Sequence, residues 1–253
     1  MDIQLIRNAT LVLHYGDKKI IVDPFFADKG SMPPFQNTPN QDQNNPTVGL
    51  PFAIDSLLDA DAVIITHLHP DHFDEMAKKR LPKDILLYAQ NEQDCQVIQE
   101  AGFTNVQSLE NSPQVGNVTI RRTNGKHGTG DILKKTGIVS GVVFTHPDEK
   151  TLYVAGDTIW CPDVEEAIQT HHPDVIVLNG GAAQYLVGDP ITMTKEDIYE
   201  VYKAAPNAQV VVCHMESLNH CLLKRDELSA FLSTNEATDR ITIPNDGEKL
   251  SYN

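Results

Sequence analysis

The chain has 253 residues, 40% of them hydrophobic, which suits one large domain with a sizeable core. A formal net charge of −15 at pH 7 repels phosphate backbones and excludes nucleic acid as a default partner. The four cysteines, Cys95, Cys161, Cys213 and Cys221, form no Cys-x-x-Cys pair, and no segment reads as a signal peptide or membrane span, so a cytoplasmic protein with free thiols is expected.

Ile3–Ile6, Thr10–His14 and Lys19–Val22 alternate or run apolar and read as strands, the last two joined as a hairpin through Tyr15-Gly16-Asp17-Lys18. Asp23-Pro24 ends the third strand. Ala27–Pro51 follows, rich in Pro, Asn, Gln and Gly, and longer than a passive connection needs to be. Met32, Phe35, Val48 and Leu50 give it apolar contact points. It is expected to act as a lid over a cleft of its own chain, or of a partner copy in a homo-oligomer. Ala53–Leu58 reads as a short helix, Ala62–Ile65 as a buried strand and Asp71–Lys79 as a helix. Strand, helix and strand then follow at Ile85–Tyr88, Glu92–Glu100 and Val106–Leu109.

Val118–Arg122, Val139–Thr145 and Thr151–Ala155 read as strands of a second, largely antiparallel sheet. Pro162–Gln169 is helical and Val175–Leu178 is a buried strand. Thr194 and Asp197 stand in capping spacing at the head of a helix, Thr194–Ala204. Val210–Cys213 reads as a strand and Lys224–Leu232 as the last helix. Two such sheets can be covered by helices only on their outer faces, so an α+β, four-layered αββα sandwich is expected, formed by one domain over residues 1–253.

The run Thr66-His67-Leu68-His69-Pro70-Asp71-His72 directly follows the buried strand Ala62–Ile65. Imidazole and carboxylate groups held at the end of a rigid element can converge on a borderline divalent ion such as zinc. Three further candidates stand at strand ends or in adjoining loops: His127 in Asn124-Gly125-Lys126-His127-Gly128, Asp157 after Tyr153-Val154-Ala155-Gly156, and His214 after Val210–Cys213. Singly, each reads as structural. Their joint order makes the case, and together with His67, His69, Asp71 and His72 they supply enough ligands for two metals. His220 is the rival to His214, which the adjoining strand favours. Glu216, Asn219 and His220 would bind substrate or protonate a leaving group, or else form a helix-start network. Asp23 would order the loop beneath the metals or orient a ligand histidine through its second nitrogen.

This order of motifs resembles the metallo-β-lactamase superfamily. Ile6-Arg7-Asn8-Ala9-Thr10, Val22-Asp23-Pro24, Gly156-Asp157-Thr158 and His214–Cys221 are similar to its branch around ascorbate-6-phosphate lactonase. The resemblance covers nearly the whole chain. It implies His67, His69 and His127 on one divalent ion, Asp71, His72 and His214 on a second, and Asp157 bridging, with Asp71 and Asp157 catalytic. Zinc and manganese both suit this set, and water bound to such an ion reaches a pKa of about 7. The expected function is hydrolysis of a small, anionic substrate, a lactone or other cyclic ester first, with a phosphodiester as the alternative. A non-catalytic metal-binding or sensing protein is the alternative of another class.

Overall fold

The computed structural model describes residues 1–253. The first sheet contains β1 (Asp2–Arg7), β2 (Thr10–Tyr15), β3 (Lys18–Val22), β4 (Ala62–Ile65), β5 (Leu86–Ala89) and β6 (Val106–Ser108), with helices α1 (Glu75–Arg80) and α2 (Glu92–Glu100) between its later strands. The second contains β7 (Gln114–Val115), β8 (Val118–Asn124), β9 (Ser140–Thr145), β10 (Leu152–Val154), β11 (Val175–Asn179), β12 (Gln209–Cys213) and β13 (Ile241–Thr242). Its helices are α3 (Leu133–Thr136), α4 (Pro162–His171), α5 (Lys195–Ala204) and α6 (Arg225–Thr234). The chain then returns, and β14 (Lys249–Ser251) pairs with β1 at the edge of the first sheet.

Three buried clusters define the layers. Ile3, Leu11, Leu13 and Ile64 from one sheet meet Val118, Ile120, Phe144 and Val177 from the other. Phe73, Ala77, Cys95 and Ile98 of the α1 and α2 region cover the outer face of the first sheet. Val164, Ile198, Val201 and Leu228 of α4, α5 and α6 cover the outer face of the second. The result is the expected α+β sandwich, with alternate side chains of each strand feeding a different cluster. No helix is long and apolar enough to cross a membrane.

Several elements differ from expectation. The second sheet is mixed rather than largely antiparallel: β7 to β10 run antiparallel, whereas β10 to β13 are parallel. Buried strands separated by helices require parallel crossovers. The helix expected over Asp71–Lys79 starts only at Glu75. Asp74 is its N-cap, accepting the Ala77 N–H at 2.7 Å, while the N–H groups of His72 and Phe73 both turn back to the His69 carbonyl. Ala53–Leu58 holds one 3₁₀ turn, Ile54–Ser56. The short strands β7, β13 and β14 carry too few residues for a readable period.

This topology gathers one end of the molecule. Strands β3, β4, β8, β10, β11 and β12 run in the same sense within their sheets, so their C-terminal ends share an edge. The loop after β3 lies along that edge and is fastened along its length. Buried Arg7 donates to the carbonyls of Phe25 and Ala27 at 2.9 Å each and of Val48 at 3.1 Å. Met32 and Asn45 pair through two backbone bonds of 2.8 Å. Thr47 donates to the carbonyls of Ser217 and Glu216 at 2.9 and 2.6 Å.

Arg7 remains charged although burial pulls its guanidinium down to about 10. Arg7→Met would leave three carbonyls without their donor. It should lower the unfolding free energy by about 2–4 kcal/mol. A urea titration with an unchanged midpoint would contradict this role for Arg7.

Candidate metal centre

The local backbone at the shared edge is unusual. Asn8, Asp23, Ala182, His214 and Glu216 all adopt positive φ, which non-glycine residues rarely do and which clusters where function over-determines the backbone. Gly156 has φ +70°, and a Cβ there would lie 2.4 Å from the Ser140 carbonyl oxygen, so the turn presenting Asp157 requires glycine.

The seven side chains singled out in the sequence come together here in two groups. His67, His69, His127 and Asp157 form one, and Asp71, His72, Asp157 and His214 form the other. Within each group the ligand-type atoms lie within 4.8 Å of one another. Asp157 belongs to both. Its Oδ2 stands 3.9 Å from His67 Nε2, 3.2 Å from His72 Nε2 and 3.5 Å from His127 Nε2, and its Oδ1 stands 3.5 Å from His214 Nε2. Most of these gaps exceed a good hydrogen bond. They match two ligands that share one ion about 2 Å from each. All these residues are buried except His69, which is partly exposed.

The far nitrogens fix the near ones. Asp23 accepts from the Thr66 N–H at 2.8 Å, from the Thr66 hydroxyl at 2.7 Å and from His72 Nδ1 at 2.8 Å. The Thr66 hydroxyl proton is therefore committed, and its oxygen is left to accept from His67 Nδ1 at 3.1 Å. His127 Nδ1 donates to the Ile191 carbonyl at 2.8 Å. In all three rings the Nδ1 proton is assigned by its acceptor, so Nε2 is the nitrogen turned toward Asp157. His67 Nε2 and His72 Nε2 are buried without a hydrogen-bond partner, a costly arrangement that a cation between the rings would relieve. His214 Nδ1 contacts Cys221 Sγ at 3.5 Å.

The charges point the same way. Burial raises the Asp157 carboxyl, but His214 and His72 outweigh it and hold it well below its ordinary value. Burial also opposes charge on His72, yet Asp157, Asp23 and Asp71 drive that imidazole well above its usual range. His67 goes the other way, pushed far down by burial and then by His72 and His69. The carboxylates draw positive charge into a space where the first group of imidazoles resists protons. An imidazole and carboxylate donor set of this kind fits divalent metal.

Residues expected at the substrate divide. Glu216 turns to α6, pairing with Arg225 Nη1 at 2.7 Å and accepting the Arg225 N–H, so it anchors the helix start instead of lining a cleft. Asn219 is likewise engaged. Its Oδ1 accepts from Phe35 N at 3.2 Å and Asn45 Nδ2 at 2.9 Å, and its Nδ2 donates to Thr38 Oγ1 at 2.8 Å and the Pro39 carbonyl at 2.6 Å. It pins the long loop. His220 is buried with Nδ1 unpartnered and with Phe35 edge-on at 4.8 Å. Burial holds its imidazole down to about 4.

Sequence reasoning passed over Asn179. Asn179 ends β11 in register with Cys213 and donates to Asp157 Oδ1 at 2.7 Å. Its position at a strand end was the available signal, but asparagine is not a usual metal ligand. Tyr185 was also missed; it packs against the apolar wall that includes Phe25, Ile191 and Leu218.

Two mixed sheets packed face to face, with a His/Asp cluster at their shared edge, define a protein of the metallo-β-lactamase fold. A family model described as a beta-lactamase superfamily domain matches residues 18–215. The UPF0173 protein YddR of Bacillus subtilis is 47% identical over 254 residues, covering 100% of both chains. An isothiocyanate hydrolase from Delia radicum gut bacteria has a solved structure that superposes with TM-score 0.96 at 42% identity, over 100% of this chain and 99% of that one. A "possible metal-dependent hydrolase" from Veillonella parvula superposes with TM-score 0.97 at 35% identity, over the same shares. The chain belongs to the metallo-β-lactamase superfamily and, within it, to the UPF0173 family of metal-dependent hydrolases.

Asp23→Asn removes the charge behind His72 and disturbs the Thr66–His67 link. Loss of such an outer partner should weaken divalent-ion affinity by about 10–100-fold. Competition with a chromophoric chelator measures this, and equal affinity in the variant would show that Asp23 serves the fold alone.

Proposed function

We propose that the chain hydrolyses isothiocyanates with two divalent ions, zinc or manganese, as cofactors. His67, His69 and His127 would hold one ion, Asp71, His72 and His214 the other, and Asp157 both. The observation that carries the metal reading is the pair of four-residue groups sharing Asp157, with the unpartnered Nε2 atoms of His67 and His72 among them. The substrate class is supported by the 42% identity, across the whole chain, to an isothiocyanate hydrolase.

When bound, the ions lower the pKa of water and polarise the substrate's electrophilic carbon. In net terms, water oxygen joins the central carbon, both water protons end on nitrogen, and cleavage of the carbon–nitrogen bond frees an amine and carbonyl sulfide. Burial raises the Asp71 carboxyl, but His72 and His214 outweigh it and keep it ionised, so Asp71 acts as a fixed anion; its Oδ2 lies 3.2 Å from His214 Nε2, and its backbone carbonyl accepts from Asn8 Nδ2 at 3.1 Å. Asn179 keeps Asp157 in one orientation. His220, neutral at pH 7 because of its burial, offers a hydrogen bond to substrate but no acidic proton. Phe25, Met32, Phe35 and Leu218 supply an apolar wall that limits water.

A lactone or other cyclic ester is the second reading. It is favoured by the lactonase-like segments Arg7-Asn8, Asp23-Pro24 and His214–Cys221, and its carbonyl carbon calls for the same attack. The cavity beside His67 and His69 contains Asp94 and no lysine or arginine, which favours an uncharged substrate over an anionic one and over a phosphodiester.

Metal-replete protein should contain two ions per chain and release amine from a simple aryl isothiocyanate. Chelation should stop the reaction. Asp157→Asn should lower ion content and turnover together. One ion per chain at saturation would sink the shared-carboxylate reading. Hydrolysis of lactones with no action on isothiocyanates would select the second substrate.

A further inference from the structure

A cavity of about 260 Å³ adjoins the metal centre on the side of α2, with His67 and His69 at its floor and Gln90, Gln93 and Asp94 along its wall. Gln90 is buried and its orientation is fixed. Its Nε2 donates to Asp94 Oδ2 at 2.7 Å and to the Ile138 carbonyl at 3.0 Å, and its Oε1 accepts from Ser140 Oγ at 3.0 Å. Both amide protons are thereby committed away from a ligand. Asp94 is half-buried and has no cation within ion-pair distance; Arg122, on the far side of Ser140, is held by Ser140 Oγ at 2.6 Å and Asn124 Oδ1 at 3.0 Å. One carboxylate oxygen, Asp94 Oδ1, is left without a partner. Ile138, 66% exposed, adds an apolar surface to the same cavity.

We propose that this cavity is a specificity subsite for the substrate's tail, taking a tail that ends in a hydrogen-bond donor, a hydroxyl or ammonium group, with Asp94 Oδ1 as acceptor. The subsite rests on reading the His/Asp cluster as the hydrolytic centre. Its one charged wall group is the Asp94 carboxylate and it holds no lysine or arginine, so a carboxylate or phosphate tail meets repulsion that only the neutral amides of Asn91 and Gln93 offset. An aromatic or aliphatic stem would lie on Ile138. Asp94 also has a structural reason to be acidic, since it stands in the first turn of α2, where its N–H is capped by Asn91 at 2.8 Å. That role would affect stability but not discrimination between ligands.

The test is a binding ratio on the metal-replete protein. Benzylammonium, benzyl alcohol and benzoate are titrated by ligand-observed NMR against the wild type, Asp94→Asn and Gln93→Lys. The preference for benzylammonium over benzoate should fall about fivefold in Asp94→Asn, the scale of one partly screened charge. Gln93→Lys, which leaves the Asn91–Asp94 cap untouched, should move the ratio in the same direction. A ratio equal in all three proteins, or a wild type that prefers benzoate, would overturn the proposal. Turnover of isothiocyanates and lactones is measured separately on the wild type. Absence of both reactions would count against the hydrolytic reading, whereas an unchanged binding ratio counts only against the subsite.

Discussion

The carboxylate of Asp23 governs the opening motif. It sits at the end of β3 with positive φ, 1% exposed, and accepts three hydrogen bonds. Two of them join the end of β3 to the end of β4, so the motif begins from a fixed backbone. The third assigns the His72 tautomer, and through the Thr66 hydroxyl the same carboxylate assigns that of His67. One buried anion thus decides which nitrogen of two rings faces Asp157. A donor set aimed in advance loses little freedom on binding an ion, which is how outer partners raise affinity.

The cost of this arrangement lies in its electrostatics. Seven ionisable side chains, nearly all buried, face one another. Without a cation, burial drives His67 and His127 toward neutrality while the carboxylates drive His72 and His214 toward charge. Such opposed preferences stabilise the fold poorly, because desolvation opposes every charged pair. The surrounding sandwich supplies the compensation through three apolar clusters that fix the strand ends whatever the site contains.

Much of this was legible in the chain. His67, His69, Asp71, His72, His127, Asp157 and His214 each stood at a strand end or in an adjoining loop, and buried apolar strands are elements whose existence the sequence pattern shows well. The layered fold followed from the same signal. The start of α1 was misplaced because a capping aspartate at position 74 and an aspartate of the His/Asp cluster at 71 look alike in sequence; only the bonds of the His69 carbonyl separate them. Glu216 and Asn219 looked functional for the reason that they are polar and near His214. Glu216 takes the helix-start alternative through Arg225, nine residues on, whereas the partners of Asn219, namely Thr38, Pro39 and Asn45, lie 174 to 181 residues away, and no local pattern announces such contacts. The edge strand β14 was unreadable for a similar reason, since its partner β1 lies at the other end of the chain.

The fastening of the long loop separates two kinds of change. Its shape is set by Arg7, Asn45 and Asn219, all buried. Gln36, Asn37, Asp42, Gln43 and Asn44 point outward between those anchors and carry no part of the core. Substitutions at these outward positions leave the anchors in place, and neither touches the clustered histidines. The loop therefore gives the fold a surface whose sequence can drift by small steps, insulated from the backbone that holds the His/Asp cluster.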